Sequence, residues 1–236
     1  MHDYDLQPAD YDDAHGGASR AEAAAAALRI LLGDASTVVD VGGGTGIVSH
    51  LLRGPHRNVF LADVSPGMLS QAYRRMSGRT VRASGTALPF RGESMEAVVC
   101  VWFLHLLPTE AVRTVIAEAV RVLRVGGRFI TTVDKAAAHD DGSDIAELTA
   151  DLRSPPTDAS PDIYDYTRAA GMTPLDSIAF TGHGQGLAPW PYADELSRRR
   201  DPTATGIARR LRELPFPNTP RPDPVYRLRS YRKASQ

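Results

Sequence analysis

A single cysteine, Cys100, occurs among 236 residues. That leaves no partner for a disulfide within the chain and fits a reducing compartment; set in an apolar run, the thiol reads as core rather than nucleophile. Long apolar runs are missing too. The longest, "AEAAAAALRILL", is too short and too interrupted to span a bilayer and reads instead as an alanine-rich amphipathic helix. The opening "MHDYDLQPADYDD" carries acids where a secretory leader would be basic, so no signal peptide and a cytoplasmic location are expected. Neither sign of charge dominates. With 27 Lys and Arg against 28 Asp and Glu, the net charge of -1 gives no global reason to expect nucleic acid or an anionic membrane as a partner. No internal repeat, no His/Cys spacing suited to a metal and no Ser/His/Asp arrangement is visible, so no metal is expected.

What is present is an ordinary globular composition, 42% hydrophobic and 23% charged. Its charges are uneven: Asp3, Asp5, Asp10, Asp12 and Asp13 crowd the start and read as a solvated arm, while arginines crowd the stretch after Glu195 and read as surface. From residue 36 short apolar runs alternate with helical patterns, which predicts βαβ units and a parallel sheet. Strands are expected at "TVVDV", "NVFLADV", "TVRAS", "AVVCVWFL" and "RFITTVD". Helices are expected at "GIVSHLLRG", at "SPGMLSQAYRRM" with Ser65 as cap and Pro66 in the first turn, and at "TEAVRTVIAEAVRVLRVGG" from a Thr109 cap to a glycine stop. Further on, "DIAELTADLR" and "IYDYTRAAG" read as helices, "PLDSIAFTG" as a strand, Trp190 to Leu214 as an interrupted helical stretch and "VYRLRSYRK" as a terminal strand. The expected organisation is one domain: an arm and helix over 1–35, a cofactor-binding core over 36–135, and 136–236 completing the sheet with a substrate lid over about 184–222.

The densest signal is "VVDVGGGTG", residues 38–46, glycines set directly behind an apolar run. Glycine weakens regular structure by roughly 0.5–1 kcal/mol relative to alanine, so such a cluster marks a sharp turn or a close approach to a ligand. A dinucleotide loop wants a third glycine where Ile47 stands; here Gly42, Gly44 and Gly46 give a G-x-G-x-G spacing behind Asp40.

With this loop, "LADVSPGML", "ALPF", "AVVCVWFLHLL" and "EAVRVLRVGGRFITT" in that order, the chain resembles the class I S-adenosylmethionine-dependent methyltransferases, in particular the small-molecule, type 11-like branch. The resemblance covers about 36 to 134. It implies an α/β, Rossmann-like, seven-stranded and mostly parallel sheet with helices on both faces, an antiparallel last strand, and a lid between the last two strands. It also implies S-adenosylmethionine as cofactor, leaving as S-adenosylhomocysteine. Asp63, about 20 residues beyond Gly42, would take the ribose hydroxyls. Val64, Met68, Ser84, Gly85, Thr86, Ala87 and Val101 would complete the cofactor site, Ser84 standing where relatives commonly carry an acid against the adenine. Arg20 would reach the cofactor's carboxylate.

Methyl transfer from a sulfonium is an in-line displacement needing no covalent enzyme intermediate, so a base is required only for a protonated acceptor. His105, after the fourth strand, is the first candidate, followed by His139 and His183; Asp134, ending the fifth strand, would orient a substrate amine or cap the next segment. Tyr11, Trp102, His105, Trp190 and Tyr192 are expected on the acceptor, with Tyr4, Phe103 and Phe216 nearby. The implied partner is a small molecule, aromatic or polycyclic, bound by a monomer or homodimer of specialised metabolism and methylated on oxygen, nitrogen or carbon. A nucleic-acid methyltransferase, suggested by the late arginines, and a cofactor-binding regulator without turnover remain as alternatives; a nicotinamide oxidoreductase fails on the glycine spacing.

Overall fold

The computed structural model describes residues 11–139, 142–153, 155–199 and 201–235. A short α1 (Tyr11–Ala14) leads into α2 (Gly17–Leu32), whose alanines let its backbone lie close on the sheet, burying Ala21, Ala24, Ala25, Leu28 and Leu32. There follow β1 (Thr37–Val41), α3 (Ser49–Leu52), β2 (Asn58–Asp63), α4 (Pro66–Arg75), β3 (Thr80–Arg82), β4 (Met95–Cys100), α5 (Thr109–Val122) and β5 (Leu123–Val133). The remainder comprises α6 (Asp144–Leu148), α7 (Ser160–Ala169), β6 (Met172–Thr181), α8 (Pro189–Ser197), α9 (Pro202–Leu211) and β7 (Val225–Lys233).

The seven strands form one sheet in the order β3-β2-β1-β4-β5-β7-β6. All neighbours are parallel except β7, which runs antiparallel between β5 and β6. Successive strand residues face opposite sides, as the two-residue period requires. Val38, Val59, Leu61 and Val99 pack with α2, while Val39, Val98, Cys100 and Phe129 pack with α5 and α7 on the other side. A third, separate cluster of Ile145, Ala193, Leu196, Ala204, Ile207 and Leu211 joins α6, α8 and α9. No helix among the described residues is long and apolar enough to cross a membrane.

The expected elements stand with adjustments: the strand expected at "TVRAS" ends at Arg82, and the helix expected over "DIAELTADLR" ends at Leu148 before a short 3-10 turn. The helix expected from Gly46 contracts to α3, because Gly46 holds φ 74°, outside the helical region. The fourth strand stops at Cys100, since Trp102 adopts φ 51° and turns the chain into a short 3-10 turn at Leu104–Leu106. The next helix has Pro108 rather than Thr109 as its cap. It also ends at Val122 without reaching a glycine, because Leu123 already pairs with Met95 as the first residue of β5.

Reversal of strand order between β1 and β4 opens a crevice at the carboxyl edge, the place where sheets of this kind take ligands. The loops after β1, β2, β4 and β5 all end there.

Candidate functional site

Gly42, Gly44 and Gly46 hold φ of 71°, 56° and 74°. The turn is tight on its inner side: a Cβ on Gly42 would lie 2.3 Å from the Phe103 ring. On its outer side it is open, for a Cβ on Gly44 would meet nothing within 4 Å. Asp63, at the end of β2, accepts from the Gly44 amide at 2.9 Å and from the Ser65 amide at 2.9 Å, so one carboxylate ties the loops after β1 and β2 together. Asp40 lies beneath the turn rather than on its open face; it is 3% exposed and accepts a hydrogen bond from Ser49 Oγ at 2.5 Å. Burial, reinforced by the charge of Asp63, pushes its carboxyl up to about 7.

The acidic arm is not all solvated. Asp12 accepts from Thr45 Oγ1 at 2.6 Å and from Arg75 at 2.7 Å, and Arg75 donates to the Thr45 carbonyl at 2.8 Å, clasping α1 onto the glycine turn. Tyr11 stacks on His15, with ring centroids 4.1 Å apart, near the same clasp. Tyr4 lies outside the described residues.

Along the adenine side, Val64 is exposed and Met68 is buried, its amide capped by Ser65 Oγ. Ser84 closes its own turn: its hydroxyl bonds the Thr86 amide at 3.2 Å and the Thr86 hydroxyl at 2.7 Å, and Ser84 bridges Ala87. Gly85 is buried against Val41 and Phe103. Val101 lies in the core, 7% exposed, and so offers no open side chain to a cofactor.

Across the crevice the loops after β4 and β5 meet the start of α2. Arg20, 7% exposed, lays its guanidinium over Trp102, 3.5 Å from the ring centroid, and donates to the His15 carbonyl at 3.0 Å. Trp102 packs edge-on against Phe180 and Tyr226, which makes it a floor beneath Arg20 more than a pocket wall. The Tyr226 hydroxyl and His139 Nε2 lie 3.2 Å apart. Three buried polar atoms at this edge have no partner among the described residues: Arg20 Nε, Trp102 Nε1 and His105 Nδ1. Burial, together with the positive charges of Lys135, Arg20 and His139, holds His105 down to about 3. The ring is therefore neutral at pH 7 and a weak base in this state, which removes the reason for casting it as the proton acceptor.

Asp134 serves as a backbone anchor. Its φ is 54°, and its carboxylate accepts from the Ser160 amide at 2.7 Å, securing α7. His183 lies half exposed, 3.9 Å from Asp223. Trp190 is 47% exposed, its indole donating to the Arg212 carbonyl, and Phe216 is 72% exposed; neither is a buried wall. Tyr192 does line a cavity of about 260 Å³ that is also bounded by Ala136, His139, Ile145, Thr149, Leu187 and Arg221. Arg221, drawn from the supposed surface arginines, instead makes two 2.7 Å bonds to Asp144 and joins the segment before β7 to α6.

Sequence reasoning missed Asp12, Arg75, Lys135, Arg221 and Tyr226. Only Tyr226 carried a local signal, as an inward position of the alternating "VYRLRSYRK".

The cofactor implied by the resemblance fits this crevice. The turn is open at Gly44, a carboxylate stands at the end of β2, and a buried guanidinium with an unpartnered Nε lies opposite.

Comparison with known proteins gives consistent results. Residues 39–131 match the family described as "Methyltransferase domain". A demethylmenaquinone methyltransferase from Clavibacter sepedonicus is 35% identical over 97 residues, which are 39% of this chain and 39% of that protein. A ubiquinone/menaquinone biosynthesis C-methyltransferase from Zymomonas mobilis is 30% identical over 98 residues, again 39% of this chain and 40% of that protein. The match thus spans about two fifths of these relatives' length. Among solved structures, geranyl diphosphate C-methyltransferase from Streptomyces coelicolor, bound to Mg2+, geranyl diphosphate and S-adenosylhomocysteine, has a TM-score of 0.56 at 17% identity, covering 90% of this chain and 77% of that one. These structural likenesses are likenesses of fold.

Proposed function

Residues 39–131 are the core of a class I S-adenosylmethionine-dependent methyltransferase, and from that premise we propose that the chain binds S-adenosylmethionine in the crevice and methylates an oxygen, nitrogen or carbon atom of a small acceptor. When bound, the cofactor supplies an activated methyl group for in-line displacement. The chain's own part is to hold both molecules and keep water away. Asp63 would take the ribose hydroxyls while keeping the two loops registered, the open turn at Gly44 would admit the cofactor's backbone, and Arg20 would take its carboxylate.

One observation carries the small-molecule reading. The cavity between α6 and α8 is about 260 Å³ and partly open, and His139 on its wall lies 3.2 Å from the Tyr226 hydroxyl at the crevice. Such a volume suits a compact acceptor. The name of the Clavibacter relative, a methyltransferase of a menaquinone precursor, supports an aromatic or polycyclic acceptor, and Tyr192 on the cavity wall agrees with it. Specialised metabolism is the setting we assign to such an activity, with α8 and α9 acting as the lid.

Titration calorimetry with S-adenosylmethionine, S-adenosylhomocysteine and NADH tests the reading. Micromolar binding of the sulfur compounds and none of NADH is expected; binding of NADH alone would overturn it.

A further inference from the structure

Trp102 is held in a backbone conformation that aromatic residues avoid. Its φ of 51° lies in the left-handed region, where a bulky residue persists only if its surroundings enforce it. Here backbone and ring are both fixed. The Trp102 amide donates to Thr132 Oγ1 of β5 at 2.8 Å, and the ring packs edge-on against Phe180 and Tyr226, with centroids 5.8 Å and 5.6 Å away. The Arg20 guanidinium covers one face of the indole, 3.5 Å from the ring centroid. Phe103, the next residue, packs under Gly42. The chain therefore locks one indole at the carboxyl edge of β4, adjoining the glycine turn.

That indole carries a buried N–H with no hydrogen-bond partner among the described residues, and the same holds for Arg20 Nε on the guanidinium stacked upon it. The acceptors nearby serve other groups. The Tyr226 hydroxyl lies 3.2 Å from His139 Nε2, and the His15 carbonyl takes a terminal nitrogen of Arg20 at 3.0 Å. Buried donors are nearly always paired, so two unpaired ones on touching side chains call for an explanation. Packing alone does not supply it, because a phenylalanine would offer a ring to the same aromatic neighbours without stranding a donor. Indole and guanidinium N–H groups only donate, so whatever completes them must present oxygen lone pairs, and the charge of Arg20 selects an anion. A carboxylate has oxygens enough for both donors.

We propose that the Trp102 indole N–H and the Arg20 Nε–H together hold the carboxylate at the amino-acid end of the cofactor, which makes Trp102 a cofactor-binding residue and not a contact of the methyl acceptor. The inference rests on the methyltransferase reading of the crevice, in which Arg20 takes that carboxylate. Because the ring is locked before anything binds, its donor needs no reorganisation to meet the anion, and the strain at residue 102 acquires a use.

The chain has two tryptophans, Trp102 and Trp190, so a proton–nitrogen correlation spectrum of the full chain carries two indole signals, and Trp190→Phe identifies that of Trp102. The probes are S-adenosylhomocysteine and its decarboxylated form, S-adenosyl-3-thiopropylamine. S-adenosylhomocysteine should move the Trp102 indole proton downfield, as entry into a hydrogen bond with an anion does, while the decarboxylated compound should leave it near its unliganded position. Calorimetry on Trp102→Phe should show S-adenosylhomocysteine bound about tenfold more weakly than by the parent and the decarboxylated compound within twofold. A Trp102 signal that S-adenosylhomocysteine leaves in place, or that both compounds move alike, overturns the proposal. So does a folded Trp102→Phe that weakens both compounds alike or neither. Should Trp102→Phe fail to fold, the parent spectra decide alone. Failure of the parent to bind S-adenosylhomocysteine would instead overturn the reading on which the proposal rests.

Discussion

Polar groups on the two sides of the crevice are fixed in different ways. On the β1–β3 side the groups facing the crevice are set chiefly by backbone amides within about 20 residues, the Asp12–Arg75 clasp being the long-range exception. Asp63 takes the amides of Gly44 and Ser65, and Ser84 takes that of Thr86, two residues on. On the β5–β7 side they are set by side chains far apart in sequence: Arg221 reaches Asp144 across 77 positions and Tyr226 reaches His139 across 87. The first arrangement depends on short spacings between a carboxylate or hydroxyl and nearby amides. The second can be rewired by exchanging pairs of side chains, which is what a site for a variable acceptor needs.

The largest test of this contrast is Gly42→Val. A side chain there would strike Phe103 and occupy a backbone region that β-branched residues avoid, so a loss on the order of 3 kcal/mol in chemical denaturation is expected, together with loss of S-adenosylhomocysteine binding. Normal binding by this variant would mean that the turn is more pliable than the contrast allows. Next comes Asp63→Ala, where losing charge-assisted hydrogen bonds, each worth about 1.5–3 kcal/mol, should weaken S-adenosylhomocysteine at least tenfold by calorimetry. A change within twofold would remove Asp63 from the cofactor site.

Asp40 sharpens the same comparison through pH. Its folded carboxyl is raised to about 7 from an ordinary value of 3.8, so the folded state favours the proton. The stability this contributes is present below about pH 4 and is lost as pH rises through 7. Thermal melts from pH 5 to pH 8 should therefore show the parent losing on the order of 2 kcal/mol relative to Asp40→Asn, whose amide oxygen can still accept from Ser49. Parallel pH profiles would show that Asp40 ionises without cost.

The smallest effect expected belongs to the other side of the crevice. Arg221→Met should lower stability by about 1 kcal/mol, discounted because the Asp144 side chain is 35% exposed, while S-adenosylhomocysteine affinity stays within twofold. A matching fall in cofactor affinity would mean that the two sides are coupled rather than separable.

The same contrast explains what could be read from the sequence. The succession of strands and helices, the glycine turn and the place of Asp63 at the end of the second strand follow from periodicities and spacings within about 20 residues. The roles expected of His105, Asp134, Trp190 and Val101 did not follow, because each depends on what arrives from elsewhere in the chain. Burial, with the charges of Lys135 and Arg20, holds the His105 imidazole well below its usual range. Asp134 is claimed by Ser160, Trp190 turns outward to Arg212, and Val101 is covered by the core. Asp12 and Arg221 looked like solvated charge for the same reason: their partners, Thr45, Arg75 and Asp144, are distant in sequence.

The clasp at Asp12 governs time as well as position. One of its oxygens takes Thr45 of the glycine turn at 2.6 Å and the other takes Arg75 of α4 at 2.7 Å, so α1 is a latch that a molecule seated against that turn would have to open. We therefore expect Asp12→Ala to quicken the departure of S-adenosylhomocysteine in stopped-flow more than it weakens equilibrium binding. An unchanged departure rate would show the arm to be an ornament of the fold and not its latch.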